Sequence, residues 1–308
     1  MRVITQDELG GPDVLRQVVV DRPEPGPTEI LVEVHATSVN PIDAKTRAEV
    51  IWIGSPPFTL GWDVSGVVAA VGAGVTLFRP GDEVFGMPLF PRRAAAHAEY
   101  VVAPARQFAT KPAGVDHRHA AALPLVGLTA WQALVDTAHV RPGDRVLVHA
   151  AAGGVGHVAV QIAKALGAHV VGTASRAKHD FVRSLGADEV VDYTAVDFAE
   201  VIEDVDVVLD TVGGDTGIRS LPTVRNRGLV ITLLAATHEA LAAAAGDRVR
   251  TAFVLCEPDR AGLLALSDLV TAGKLRTELA AVLPLSEAAQ AHRLIETGRT
   301  TGKIVLTP

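Results

Sequence analysis

Residues 146–156, VLVHAAAGGVG, restrict the fold of this chain more than any other stretch. A short apolar run ends in a cluster of small residues. Val155, Val158, Ala159, Ile162, Ala163 and Leu166 then recur at the spacing of one helical face. A buried strand that turns sharply into an amphipathic helix opens a β-α-β unit. Within the turn stands Ala151-x-Gly153-x-x-Gly156, with Ala where a first glycine is usual. Gly153 lets the backbone approach a pyrophosphate, and Gly156 lets the helix pack closely on the strand. The helix N-terminus offers N–H groups and partial positive charge to phosphate. Ala152, Gly153, Gly154, Val155 and Gly156 are therefore the candidate cradle; the alternative is a tight β-to-α turn without a ligand. His149, just before the turn, reads more readily as a packed strand residue than as an acid or base.

The texture around this unit divides the chain. From about residue 120, apolar runs at 145–150, 168–174, 189–192, 204–210 and 227–234 alternate with helical patterns, as a parallel sheet covered on both faces requires. This half reads as a doubly wound α/β domain. The first ~115 residues show short strand-like runs broken by Pro25-Gly26-Pro27 and Pro80-Gly81-Asp82, and Ile30, Val32, Val34 and Ala36 alternate with Leu31, Glu33 and His35. They predict a barrel or sandwich of mostly antiparallel strands. A last strand near 303–307 is expected to rejoin it, so the expected domains are 1–118 with 275–308, and 119–274.

Composition removes several classes of function. Lys plus Arg is 28 and Asp plus Glu is 35, a formal charge of −7 that argues against nucleic acid as a partner. The single cysteine, Cys256, excludes an intrachain disulfide and any cysteine-rich zinc site, and fits a reducing cytoplasm. Asp7 and Glu8 stand where a signal peptide needs apolar residues, and no apolar run reaches a membrane-spanning length.

The end of the second apolar strand bears on which nucleotide fits. An NAD-binding chain usually presents Asp or Glu there, to bond the ribose 2′-hydroxyl. This sequence has Thr173-Ala-Ser-Arg-Ala-Lys178. Ser175, Arg176 and Lys178 can donate charge-assisted bonds to a 2′-phosphate, which favours NADP(H). Solvation of a helix start by Arg176 and Lys178 is the plainer reading.

With these residues in view the chain resembles the medium-chain dehydrogenase/reductase superfamily, and within it the zinc-independent, zeta-crystallin-like quinone oxidoreductases. The markers are Ser38-Val-Asn-Pro-Ile-Asp43, Gly61-Trp-Asp-Val-Ser-Gly66, Pro80-Gly-Asp-Glu-Val84, Gly127-Leu-Thr-Ala-Trp131, the turn at 150–156, Leu185-Gly-Ala-Asp188, Val191-Asp-Tyr193, Asp210-Thr-Val-Gly-Gly214 and Gly302-Lys-Ile-Val305. They span nearly the whole chain. The resemblance implies a GroES-like β-barrel catalytic domain joined to a Rossmann NADP(H)-binding domain, in a homodimer whose edge strand lies near 250–256. It further implies that Asn40 and Thr129 lie near the nicotinamide, Val212 and Leu233, Leu234 and Ala235 along the ribose and carboxamide, Tyr193 near the 2′-phosphate, and Lys303 near the cleft. The plainer alternatives are Tyr193 as a core aromatic and Thr129 as a helix residue bonding its own backbone, while Lys303 reads about as readily as an exposed strand charge.

Zinc-dependent relatives carry Cys where this chain has Asn40, and a His-Glu pair where it has Trp62-Asp63. An amide and an indole do not replace thiolate and imidazole ligands, so no metal is expected. Acceptors must then carry the developing charge by their own conjugation, as quinones and α,β-unsaturated carbonyls do. The expected activity is NADPH-dependent reduction of a quinone. Reduction of an enone or enal double bond is the alternative, and binding of NADPH without turnover, in a structural or RNA-binding role, is an alternative of another class. Trp52 and Trp62 are candidate walls of the acceptor pocket or, equally, residues of the barrel core; the loop 48–58 is where specificity is expected to be set; and Asn40, Asp43 and Thr129 are the candidate catalytic residues, Asp43 reading as readily as a turn or cap residue. No tyrosine lies between Asn40 and Gly61 to serve as a phenolic proton donor.

Overall fold

The computed structural model describes residues 1–308, which divide into two compact units: Met1–Leu128 with Glu257–Pro308, and Thr129–Cys256. The second unit is narrower at both ends than the expected 119–274. The helix Arg260–Thr271 lies in the first unit, against the strand Phe108–Thr110.

The second unit is built on six strands, and every pairing among them is parallel. Their order across the sheet is Glu189–Val191, His169–Thr173, Arg145–Val148, Val205–Asp210, Val224–Thr232, Arg250–Phe253. Numbered along the unit this is 3-2-1-4-5-6, the doubly wound order whose direction reverses between the first and fourth strands. Leu147, Val171, Val208 and Val230 come from four adjacent strands and pack on one face with Phe198, Ile202, Leu221 and Leu241. The helix Gly154–Ala165 buries Val158, Ala159, Ile162 and Ala163 of its apolar stripe, and also His157, Val160 and Gln161 outside it, so it is covered on more than the one face that its period marks. Burial on both faces explains why these strands read as continuous apolar runs.

In the first unit the eleven-residue strand Glu29–Val39 is the hub. Its residues 29–33 pair with 100–104, residues 30–36 with 65–71, and residues 37–39 with 304–306, all antiparallel. Register shifts after Leu31 and Val34 bend the strand, which lets one segment serve three partners. Ile30, Val32 and Val34 enter the barrel core with Val64, Val68, Val84, Val101 and Phe108, whereas Glu33 and His35 face outward. A GroES-like barrel beside a Rossmann sheet is the expected fold class. The helix Pro41–Ala48 is an element that the strand-rich texture concealed; Pro41 at its first position suits a helix start.

Close backbone approach at Gly66 holds the two longest barrel strands together. A Cβ there would lie 1.9 Å from the carbonyl oxygen of Glu33. Gly66→Ala is therefore expected to destabilise the first unit by about 1–3 kcal/mol, read as a lower midpoint in urea unfolding with an unchanged slope.

Candidate functional site

The carboxyl ends of the parallel strands collect most of the residues singled out in the sequence. After Arg145–Val148 the chain turns through Ala150, whose φ of 46° places a non-glycine residue in the left-handed region. Gly153 is the N-cap of the helix Gly154–Ala165, and its own N–H donates back to the Ala150 carbonyl at 2.8 Å. A Cβ on Gly156 would stand 2.2 Å from that same carbonyl oxygen, so only glycine lets the helix meet the turn this closely. Gly153, Gly154 and Val155 are half-buried, Ala152 buried. This is a backbone cradle of the kind a pyrophosphate needs.

Beside it lies the basic turn. The Ala151 N–H donates to the Thr173 carbonyl at 2.9 Å, which ties the glycine turn to the end of the second strand. Ser175 precedes a 3-10 turn, Arg176–Lys178, with Arg176 exposed and Lys178 half-buried. Burial pushes the Lys178 ammonium below its usual range. Asp192, the middle residue of the Val191-Asp-Tyr193 marker, also stands here. Its carboxylate accepts the Thr194 hydroxyl and the Thr194 and Arg176 backbone N–H groups, which hold it below the usual carboxylate range. No spacing rule pointed to it, because strand pairing in the sheet makes the approach. Tyr193 follows it and is 56% exposed.

Asp210 ends the fourth strand and shapes the next turn: its Oδ1 accepts the N–H groups of Val212 and Gly213, both at 2.9 Å. Burial pushes the Asp210 carboxyl up. The Leu233 N–H donates to the Asp210 carbonyl at 3.2 Å, so Val212 and the stretch from Leu233 to Ala235 are neighbours. Thr129 is the first residue of this unit and is buried in the helix Pro124–Trp131.

His149 is held inside, with Nδ1 3.1 Å from the Thr173 hydroxyl and Nε2 2.8 Å from the Ser220 hydroxyl. Burial, with a minor contribution from Arg219, lowers it to about 4. It is a neutral core imidazole.

The first unit carries a second group of buried polar residues. Asn40, Asp43, Asp63 and Ser38 have no exposed surface, and Lys303 has almost none. Asp63 Oδ2 accepts the Ser38 hydroxyl and, at 2.8 Å, the Asn40 amide; its Oδ1 accepts the Leu125 N–H at 2.7 Å. Lys303 donates to Asn40 Oδ1 and to the Val39 carbonyl, and its Nζ lies 3.7 Å from Asp63 Oδ2. Burial pushes the Lys303 ammonium down while Asp63 pulls it back up. Lys303 is thus a buried amine that donates into a hydrogen-bonded network. Asp43 Oδ2 accepts the Asn40 N–H at 2.8 Å and Oδ1 the Gly61 N–H at 3.0 Å. Burial outweighs those donors and raises Asp43 to about 7.

His97 lies beneath this group, Nε2 3.3 Å from the Ser38 carbonyl, and burial lowers it to about 4. It faces the ring of His292, which accepts from Arg47. Nothing in the spacing of these residues advertised them.

Trp52 and Trp62 have different settings. Trp62 is 1% exposed, donates its N–H to the Arg92 carbonyl at 2.7 Å and packs edge-on to Phe90. Trp52 stands in the irregular stretch after the helix Pro41–Ala48 and is 43% exposed. No group of three His, Cys, Asp or Glu side chains comes close enough together to hold a metal ion.

A phosphate-cradling Rossmann sheet and a GroES-like barrel with a buried polar centre define a two-domain dehydrogenase/reductase. The alcohol dehydrogenase GroES-like domain family matches residues 26–113, and the zinc-binding dehydrogenase family matches 185–306. A 2-haloacrylate reductase from a Burkholderia species is 36% identical over 97% of this chain and 96% of its own length. The solved quinone oxidoreductase of Coxiella burnetii superposes with a TM-score of 0.95 at 39% identity, over 100% of this chain and 99% of that one. The Escherichia coli quinone oxidoreductase solved with NADPH gives 0.87 at 30% identity, with both chains fully covered. The chain belongs to the quinone oxidoreductase family of the medium-chain dehydrogenase/reductase superfamily.

The depressed His149 imidazole has a consequence for stability. Below about pH 6.5 the unfolded chain takes up a proton that the folded chain refuses until about pH 4, so this stability is complete above the window and is lost as pH falls through it. His149→Gln keeps polar contacts and removes the titration. Thermal melting from about pH 7 to about pH 5 is expected to cost the wild type about 1–2 kcal/mol more than the variant.

Proposed function

We propose that this protein is an NADPH-dependent oxidoreductase that transfers hydride to a quinone or a similar conjugated carbonyl without a metal. The observation that carries this reading is the carboxyl edge of the parallel sheet, where the glycine cradle and the basic turn are joined by the bond from Ala151 to Thr173. The cradle at 152–156 holds the pyrophosphate with backbone N–H groups and the helix dipole. Ser175, Arg176 and Lys178 hold the 2′-phosphate, with Tyr193 beside them. Val212 and Leu233, Leu234 and Ala235 line the ribose and carboxamide. When bound, the reduced nicotinamide supplies the hydride, and the protein's share is to bind, orient and protonate.

In the first unit, Asn40 is fixed by Asp63 and Lys303 at both ends of its amide, so it presents one orientation. Asp43, raised to about 7, holds a proton near neutrality and is the proposed proton source. Thr129 and Lys303 complete the assignments. A second reading, reduction of an activated double bond, is favoured by the kinship with a 2-haloacrylate reductase.

We also propose a homodimer. The strand Arg250–Phe253 closes the sheet order and has a ladder partner on one side alone. An unpaired edge of this kind is completed by the same strand of a second copy. Light scattering in solution is expected to give twice the chain mass; a monomer at micromolar concentration refutes it.

The activity is tested by anaerobic loss of nicotinamide absorbance, with NADPH and NADH run separately against ortho- and para-quinones and linear enones. Oxidation of NADPH by quinones is the expected result, and an enone-only response moves the assignment to alkene reduction. Binding of NADPH with no turnover favours a non-catalytic role. The double variant Arg176→Ala, Lys178→Ala is expected to weaken NADPH binding about 10–100-fold and NADH binding at most about twofold.

A further inference from the structure

Residues 41–60 leave the buried polar centre of the first unit and return to it. Asp43 closes the neck of this excursion by accepting N–H groups from Asn40 on one side and Gly61 on the other. After the helix Pro41–Ala48, residues 49–57 form no helix and no sheet ladder until the short strand Phe58–Thr59. Backbone of this kind depends on partners outside itself to hold one shape.

One side chain supplies them. Arg93 donates from Nε to the Ile53 carbonyl at 2.9 Å, from Nη2 to the Ser55 carbonyl at 3.1 Å and from Nη1 to the Pro57 carbonyl at 3.4 Å. Its guanidinium carbon also lies 5.7 Å from the ring centre of Phe58. The preceding residue, Arg92, gives its carbonyl to Trp62, whose neighbour Asp63 anchors Asn40 and Lys303. The pair Arg92 and Arg93 therefore secures both the base of the polar centre and the far end of the excursion. Just before the clamped carbonyls stand two exposed apolar side chains, Val50 at 57% and Trp52 at 43%, while the clamped residues themselves expose Gly54, Ser55 and Pro57. A rigid aromatic face on irregular backbone, anchored to a buried polar centre, suits a flat conjugated ligand.

We propose that Arg93 is a positioning residue that sets acceptor specificity, by clamping residues 53–57 so that Trp52 stands as a fixed wall for flat ring acceptors. This inference rests on the functional reading above. The rigid fork of a guanidinium reaches three carbonyls at once, which a lysine ammonium does not do. Without the clamp the wall moves, and an extended ring system loses its stacking partner, while a small linear acceptor loses little.

The test compares Arg93→Ala and Arg93→Lys in a Trp131→Phe background, where Trp52 and Trp62 are the remaining tryptophans. Trp62 is shielded, so acrylamide quenching reports on Trp52. Arg93→Ala is expected to raise the quenching constant about twofold. It is also expected to raise KM for a naphthoquinone about tenfold, with kcat and the KM for a small linear enone within about twofold. Arg93→Lys is expected to fall between, and it carries the test if the alanine variant fails to fold. Unchanged quenching, equal KM changes for all acceptors, or wild-type behaviour of Arg93→Lys would overturn the clamp. Failure of the wild type to reduce any acceptor overturns the functional reading instead, and the quenching comparison, which needs no acceptor, still decides whether Arg93 holds the loop.

Discussion

A carboxylate with no exposed surface, Asp63, is the constraint around which the first unit is arranged. Burying an ionised carboxylate costs several kcal/mol unless charge and hydrogen bonds replace water. Here the replacements come from three places in the chain: Ser38 and Asn40 at the end of the hub strand, Leu125 in the helix Pro124–Trp131, and Lys303 at the start of the last strand. Removing any one leaves polar groups buried without partners. The network therefore explains why the last strand lies antiparallel to Glu29–Val39, where Ile304 meets Val39. It also explains why residues 257–308 belong with the N-terminal segment although the other unit separates them in sequence.

The second unit solves a different problem, presentation of backbone N–H groups to an anion. Parallel strands deliver their carboxyl ends to one edge, and each following turn there is shaped by local bonds: Gly153 to Ala150, Ala151 to Thr173, Val212 and Gly213 to Asp210. The left-handed backbone of Ala150 and the absence of a Cβ at Gly156 are parts of one device, which brings the helix start hard against the strand end. The turns at the sheet edge and the Asp63 network are each held by bonds within their own unit, so the surfaces they offer to ligands are preorganised.

Legibility in the sequence followed periodicity and local spacing. The strand-turn-helix around Gly153 and Gly156, the helical face from Val155 to Leu166, and the alternation of Ile30, Val32 and Val34 were readable because each is set by neighbours within a few residues. Strand ends were read less well; the fifth strand begins at Val224 rather than 227, since flanking arginines at 225 and 227 broke the apolar run. The helix Pro41–Ala48 was hidden by its polar, strand-flanked setting. His97, His292 and Arg93 gave no local signal, because each acts on residues more than thirty positions away, and the approach of Asp192 to Arg176 likewise depends on strand pairing.

The chain's own order of residues determined the doubly wound sheet and the glycine cradle with its basic neighbour. Side-chain type and short spacing suffice for these, because turns and helix starts are local physics. Tertiary structure decided which charges are buried and which wet. Lys303 reads as an exposed strand charge as readily as a buried one, and it becomes buried because Asp63 and Asn40 come to it from more than two hundred residues away. Trp52 and Trp62 look alike in sequence, yet one is shielded by a carbonyl and a ring and the other is exposed on a loop that Arg93 holds. Burial of a charge or of a lone aromatic on a loop depends on contacts between distant segments, which the local alternation of apolar residues does not encode.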